Sequence, residues 1–197
     1  MLCELPSVSV VALLVLLLST SADAQQGKIT TTCACFAFED ANGQSILLPL
    51  LTNAPLINGT RISSTYGMRM DPILGFFAMH SGVDFAAPAD SPIFAPADGV
   101  IEEARDKAEL GLYVRVRHNQ ILATGYAHTS HFAAGICPGV HVARGQVIAY
   151  VGSTGLSTGP HLHYAVFING QLIKPVCSCM TQSQSNFGNS EVNPKPR

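Results

Sequence analysis

Three short segments of this chain carry side chains that bind metal ions and move protons: His80-Ser81-Gly82-Val83-Asp84, Tyr126-Ala127-His128 and His161-Leu162-His163. Residues two apart on a strand project to one side, so His161 and His163 face one space, as do Tyr126 and His128. His80 and Asp84 could meet on a helix, but Gly82, β-branched Val83 and the following Phe85-Ala86-Ala87-Pro88 favour a loop entering a strand. Either arrangement delivers both side chains to one ion. Neutral imidazole nitrogen and carboxylate oxygen suit zinc, and a catalytic zinc takes three protein ligands while keeping a fourth position for water. His80, Asp84 and one member of the His161/His163 pair make such a set. Zinc lowers the pKa of bound water to about 7 and polarises carbonyl oxygens. His128 and the other histidine of the pair then fit proton transfer and stabilisation of an oxyanion. No His-Glu-x-x-His helix occurs, so the general-base Glu of the common zinc proteases is missing.

The other histidines have plainer roles. His118 shares a strand face with Val114 and Val116 and is expected in a satisfied interior position, while His131 and His141 lie near turn-like stretches at the surface. Tyr113, Arg115 and Arg117 share the opposite face of that strand, which is expected to be solvated rather than an anion site.

The elements that must position these groups are strands. Hydrophobic patterning and Gly/Pro punctuation predict them at 29–38, 92–95, 99–102, 113–118, 121–128, 147–151 and 161–168, with a further apolar stretch at 46–51. Asn169-Gly170 is a two-residue hairpin signal leading into 171–173. Only 102–110 has a helical look. With 17 Gly, 12 Pro and 12% charged residues, the composition fits a turn-rich all-β protein rather than a helical bundle. The 47% hydrophobic content excludes a disordered tail protein, and 197 residues allow one domain of ordinary size. A net charge of -2 argues against nucleic acid as a partner, since phosphates would go unneutralised.

Residues 8–18 are almost wholly apolar but shorter than a bilayer span. They precede Ala22-Asp23-Ala24, a small-x-small cleavage pattern, so residues 1–24 are expected to be a secretory signal peptide. Glu4 stands before the run where Lys or Arg is usual, and an uncleaved anchor is the alternative, the one case in which this chain would contact a membrane. Cys3 leaves with the signal, and Cys33, Cys35, Cys137, Cys177 and Cys179 remain. In an oxidising compartment disulfides tying the two ends together are expected ahead of metal binding by the Cys-x-Cys pairs, with the pairing left open.

Several motifs follow one another in a definite order. Ser64-Thr65-Tyr66-Gly67-Met68-Arg69-Met70-Asp71-Pro72 comes first, then His80-x-Gly-x-Asp84-Phe85, Ala87-Pro88 and Pro96-Ala97-Asp98-Gly99-Val100. Tyr126-Ala127-His128, Gly145-Gln146-Val147-Ile148, Gly152-Ser153-Thr154-Gly155 and Gly159-Pro160-His161-Leu162-His163-Tyr164 complete the series. Residues 46–175 thereby resemble the zinc endopeptidases of the lysostaphin/LytM type, peptidase family M23, in particular the murein DD-endopeptidases of bacterial envelopes. Tyr66 stands where the family usually has Phe, and Ala165 where its members often have Glu.

The resemblance implies that His80, Asp84 and His163 hold one zinc ion and that His128 and His161 flank the reacting water and carbonyl. It implies a lysostaphin/LytM-like antiparallel β fold with a groove for an extended cell-wall peptide. The Gly- and Ser-rich run 152–159 is expected as a groove wall whose small residues admit a substrate backbone. Ala165 is expected to alter substrate contacts or support of the site. The chain then divides into a signal peptide (1–24), a flank with Cys-x-Cys (25–45), a peptidase domain (46–176) and a second flank with Cys-x-Cys and a polar tail (177–197). The expected function is a zinc metalloendopeptidase, periplasmic or extracellular, that hydrolyses peptide bonds of peptidoglycan cross-links or stems. The alternatives are a non-catalytic wall-binding or hydrolase-activating module, and the same hydrolytic chemistry directed outward as an antibacterial toxin.

Overall fold

The computed structural model describes the backbone of residues 29–39, 45–47, 55–57 and 60–183, with side chains at 55 and 60–177. The expected signal peptide and most of the polar tail lie outside the described residues. Among the described residues, sixteen strands run in the order β1 (Ile29–Glu39), β2 (Ser45–Leu47), β3 (Leu56–Ile57), β4 (Arg61–Ser64), β5 (Gly67–Met70) and β6 (Phe77–His80). Next come β7 (Val83–Ala86), β8 (Pro92–Phe94), β9 (Gly99–Asp106), β10 (Leu112–Arg117) and β11 (Leu122–Phe132). The last are β12 (His141–Val142), β13 (Val147–Val151), β14 (His161–Ile168), β15 (Gln171–Ile173) and β16 (Pro175–Ser183).

Ten strands make one antiparallel sheet in the order β12-β9-β10-β11-β14-β7-β4, with β13 bridging β11 to β8 and β15 beside β14. Its central strands β11 and β14 are buried along most of their length, so their sequences lack a simple in/out alternation. One face of them carries Tyr126, Leu162 and Tyr164, which pack with Phe85, Ile93, Ile101 and Ile148 into a fully buried core. Each such side chain contributes roughly 1.5–3 kcal/mol by leaving water. The opposite face, one residue out of phase, carries His161 and His163.

The two ends of the chain meet in a separate sheet, where β1 pairs with β16 and also with β2 and β3. Register sets Cys33 opposite Cys179 and Cys35 opposite Cys177. A third, two-stranded sheet consists of β5 and β6 alone.

Two expectations are corrected here. Residues 102–110 are not helical: β9 continues to Asp106, held by Glu103↔Arg115 and Tyr113↔Arg105 pairing with β10, and only Ala108–Leu110 form a 3-10 turn. Lys107, just past the end of β9, places Nζ 2.7 Å from Glu103 Oε2. Tyr113 is 4% exposed, not on a solvated face. Its burial pushes the phenol up to about 12, while Arg115 and Arg117 each place Nε 3.0 Å from the Glu102 carboxylate.

Candidate metal centre

Strand register builds most of the site. Asp84 on β7 is directly opposite His163 on β14, so the two side chains stand side by side on one face. His161, two residues back, shares that face. His80 ends β6 and comes in from the hairpin, over the short turn 81–82. Gly82 is required there, because a Cβ would come within 2.5 Å of the Tyr164 carbonyl oxygen and 2.7 Å of the His163 ring.

His80 Nε2, Asp84 Oδ1 and His163 Nδ1 lie 3.0 Å from one another. Donors about 2.05 Å from a tetrahedral zinc stand about 3.3 Å apart, so this triangle is within a few tenths of an ångström of a zinc-ligand edge. The chemistry of the donors agrees. His80 Nδ1 donates to the Thr65 carbonyl at 2.8 Å, which leaves a lone pair on Nε2. Three acceptor atoms thus converge, and one imidazole proton from His163 could bridge a single edge, whereas a cation satisfies all three. Burial opposes ionisation of Asp84, but hydrogen bonds with His163 and His80 and their charge hold its carboxyl well below the usual range. Burial lowers the His163 pKa against the pull of Asp84, which favours the neutral ring a metal needs.

The other two histidines repeat the His80 device. His128 Nδ1 donates to the Thr154 carbonyl and His161 Nδ1 to the Gly159 carbonyl, each at 2.8 Å, which frees both Nε2 atoms for the groove. Their ring centroids are 4.7 Å apart. Burial, helped by the nearby His161 and His163, brings the His128 pKa down to about 4.

His128 reaches this face by a route the strand pattern misses. Tyr113 alone on β10 is opposed by both Ala127 and His128 on β11, a bulge with His128 at φ 60°. Tyr126 therefore lies in the core with its hydroxyl 2.7 Å from Thr124, and His128 is turned to the opposite side. The expectation that Tyr126 and His128 face one space fails for this reason.

The chain also resembles known proteins. The model of peptidase family M23 fits residues 78–175. The chain is 50% identical over 117 residues to the DD-carboxypeptidase/endopeptidase Mpg of Neisseria meningitidis, covering 59% of this chain and 26% of that protein. Among solved structures, the catalytic domain of the antimicrobial peptidase lysostaphin from Staphylococcus simulans is 33% identical with a TM-score of 0.51, over 55% of this chain and 80% of that one. A zinc-containing peptidase from Vibrio cholerae is 30% identical with a TM-score of 0.58, over 72% of this chain and 44% of that one. The chain belongs to peptidase family M23. It spans about a quarter of the length of the curated Neisseria relatives it matches.

The M23 groove crosses this face in two adjoining cavities of about 190 and about 420 Å³ that share Arg69, Pro72, Asp84, Thr158 and His161. Leu156, Ser157, Thr158 and Gly159 do line it. Gly152 and Gly155 serve otherwise: a Cβ on Gly152 would collide with the Ser130 backbone, and one on Gly155 with Gly111. Their smallness seats the loop on β11 and the 3-10 turn, and so aims the Thr154 carbonyl at His128. Ala165 is buried opposite Gly125 and lines neither cavity. His118 is satisfied, with Nδ1 donating to Asp98 O and Nε2 2.8 Å from Thr124 Oγ1. His131 and His141 are exposed.

Proposed function

We propose that this chain is a zinc-dependent endopeptidase of the periplasm or cell exterior that hydrolyses peptide bonds of peptidoglycan. The observation that carries this is the 3.0 Å triangle of His80 Nε2, Asp84 Oδ1 and His163 Nδ1 beside two imidazoles whose Nε2 atoms are free. Zinc bound by those three residues would supply Lewis acidity toward a scissile carbonyl and make water easier to deprotonate at neutral pH.

The chain's own groups divide the rest of the work. His128, whose burial favours the neutral ring and whose Nε2 is left free, can take the proton of the attacking water on Nε2 and return it to the leaving amine. Its Thr154 hydrogen bond fixes the tautomer this requires. His161 Nε2 stands 3.8 Å from Asp84 Oδ1, and its ring, when protonated, can donate to a carbonyl oxygen gaining negative charge. The extended groove excludes water from one side of a bound strand and presents Ser63, Ser64 and Thr158 as polar contacts.

An oxidising compartment is supported by the facing Cys33/Cys179 and Cys35/Cys177 positions and by the lack of any free cysteine among the described residues. A cell-wall substrate is supported by the activity in the name of the Neisseria relative. The test is digestion of defined cross-linked muropeptides read by mass spectrometry, with and without chelator. Monomers that appear only without chelator, together with about one zinc per chain, are expected. Wall binding without cleavage under any metal or pH condition would instead indicate a non-catalytic module.

A further inference from the structure

Arg69 is the only Arg or Lys among the described residues lining either half of the groove, and it lines both. It lies on β5 beside Ala78, on the same face of the hairpin as His80. Its guanidinium is little used. Nε is buried with no hydrogen-bond partner, Nη1 reaches the Met70 carbonyl only at 3.5 Å, and Nη2 stays 3.8 Å from Asp84 Oδ2. A guanidinium offers five donors in a planar fork that matches a carboxylate. With the side chain 31% exposed, an anion placed on it would be partly desolvated and held more strongly than at an open surface.

The charges around it give the groove a direction. Asp71 and Glu109 line the half that holds His80, His128 and His163, and among the described residues no acid lines the other half except Asp84 itself. A metal ion on Asp84 would offset that carboxylate, leaving Arg69 as the net charge facing Ser63, Ser64 and Gly159.

Resting on the function proposed above, we infer that Arg69 selects substrates with a free carboxylate on the carbon attached to the scissile nitrogen. The guanidinium would clasp that carboxylate in the half-groove beside Ser64. The scissile carbonyl would then lie toward His128 and His161. The residue acts through substrate binding and orientation, not proton transfer.

The experiment compares two muropeptide cross-links that differ only in this group, carboxylate or carboxamide, with the wild-type chain, Arg69→Met and Arg69→Lys. The wild type is expected to prefer the carboxylate by roughly 10- to 100-fold in kcat/KM, the worth of a charge-assisted hydrogen bond. Arg69→Met brings the ratio close to one and Arg69→Lys to an intermediate value, with bound metal measured in parallel. Calorimetric binding of the cleaved carboxylate product and its amide should show the same ratios. A preference that survives in Arg69→Met, or wild-type ratios near one in both cleavage and binding, overturns the inference. Failure of the wild type to cleave either substrate sinks the hydrolase function instead, and the binding ratios still decide the role of Arg69.

Discussion

The ten-stranded sheet and the β5–β6 hairpin both deliver site residues, but they are held in place by different forces. The sheet supplies Asp84, His128, His161 and His163 from strands whose other face is a closed apolar core. The hairpin supplies His80 and Arg69 from its inner face. On its outer face Met68 pairs with Met79 and Met70 with Phe77, and these four side chains are 49–67% exposed. The hairpin is joined to the sheet near the site by polar contacts, His80 with Asp84 and His163 and Arg69 near Asp84, and not by burial of that outer face. A cation at the triangle would therefore act as a staple between two parts of unequal rigidity.

Removing one of the residues proposed to hold the metal, from either side, should do the largest damage. His80→Ala on the hairpin and His163→Ala on the sheet are both expected to lose bound metal and to lower muropeptide cleavage by on the order of 10³-fold or more, about 4 kcal/mol in the barrier. Metal analysis and product assays check this. Near wild-type turnover in His80→Ala would show that the hairpin is dispensable. Leu162→Ala, between the two site histidines but pointing into the core, is expected to cost about 2–5 kcal/mol in urea unfolding. Chelation is expected to speed amide exchange over residues 67–80 by roughly 100-fold, as for a ligand present at 100 times its dissociation constant, and much less over 122–127. Equal acceleration in both would mean that no staple exists.

Much of this division could be seen in the chain before its structure. Strand periodicity gives β11, β13 and β14 and puts His161 and His163 on one side, while the choice of His163 as the partner of His80 and Asp84 comes from the family resemblance. The position of His128 does not follow from periodicity, because the bulge that turns it depends on Tyr113 in a neighbouring strand and on a left-handed backbone at a histidine. The hairpin strands β5 and β6 escape notice too, since Met70, Ile73, Leu74, Phe76 and Phe77 suggest burial by composition yet are 43–67% exposed. Gly152 and Gly155 suggest room for a substrate, whereas the structure spends them, like Gly82, on close approach of its own backbone and, at Gly82, of the His163 ring. Those uses rest on contacts distant in sequence.

A smaller effect separates the sheet from the hairpin by pH. Burial lowers the pKa of His118 below its ordinary 6.5, against its bonds to the backbone at Asp98 and Ala97. The unfolded chain then takes up this proton first, so stability is complete above about pH 6.5 and declines as pH falls through that value. His118→Gln should flatten part of that slope in urea unfolding measured from pH 7.5 to 5, and an unchanged slope would remove His118 from the account.

The smallest expected effect is on the outer face of the hairpin. Phe77→Ser and Met79→Ser replace side chains that are 67% and 49% exposed and lack the packing that gives core substitutions their cost. Unfolding free energy should move by no more than about 0.5 kcal/mol, and bound metal should stay the same, because His80 is held by Thr65, Asp84 and His163 on the other side. Solubility should rise as the apolar patch is broken. A loss of 2 kcal/mol or more, of the order expected for Leu162→Ala, would mean that this face is covered in the intact protein and that the hairpin is secured by burial after all.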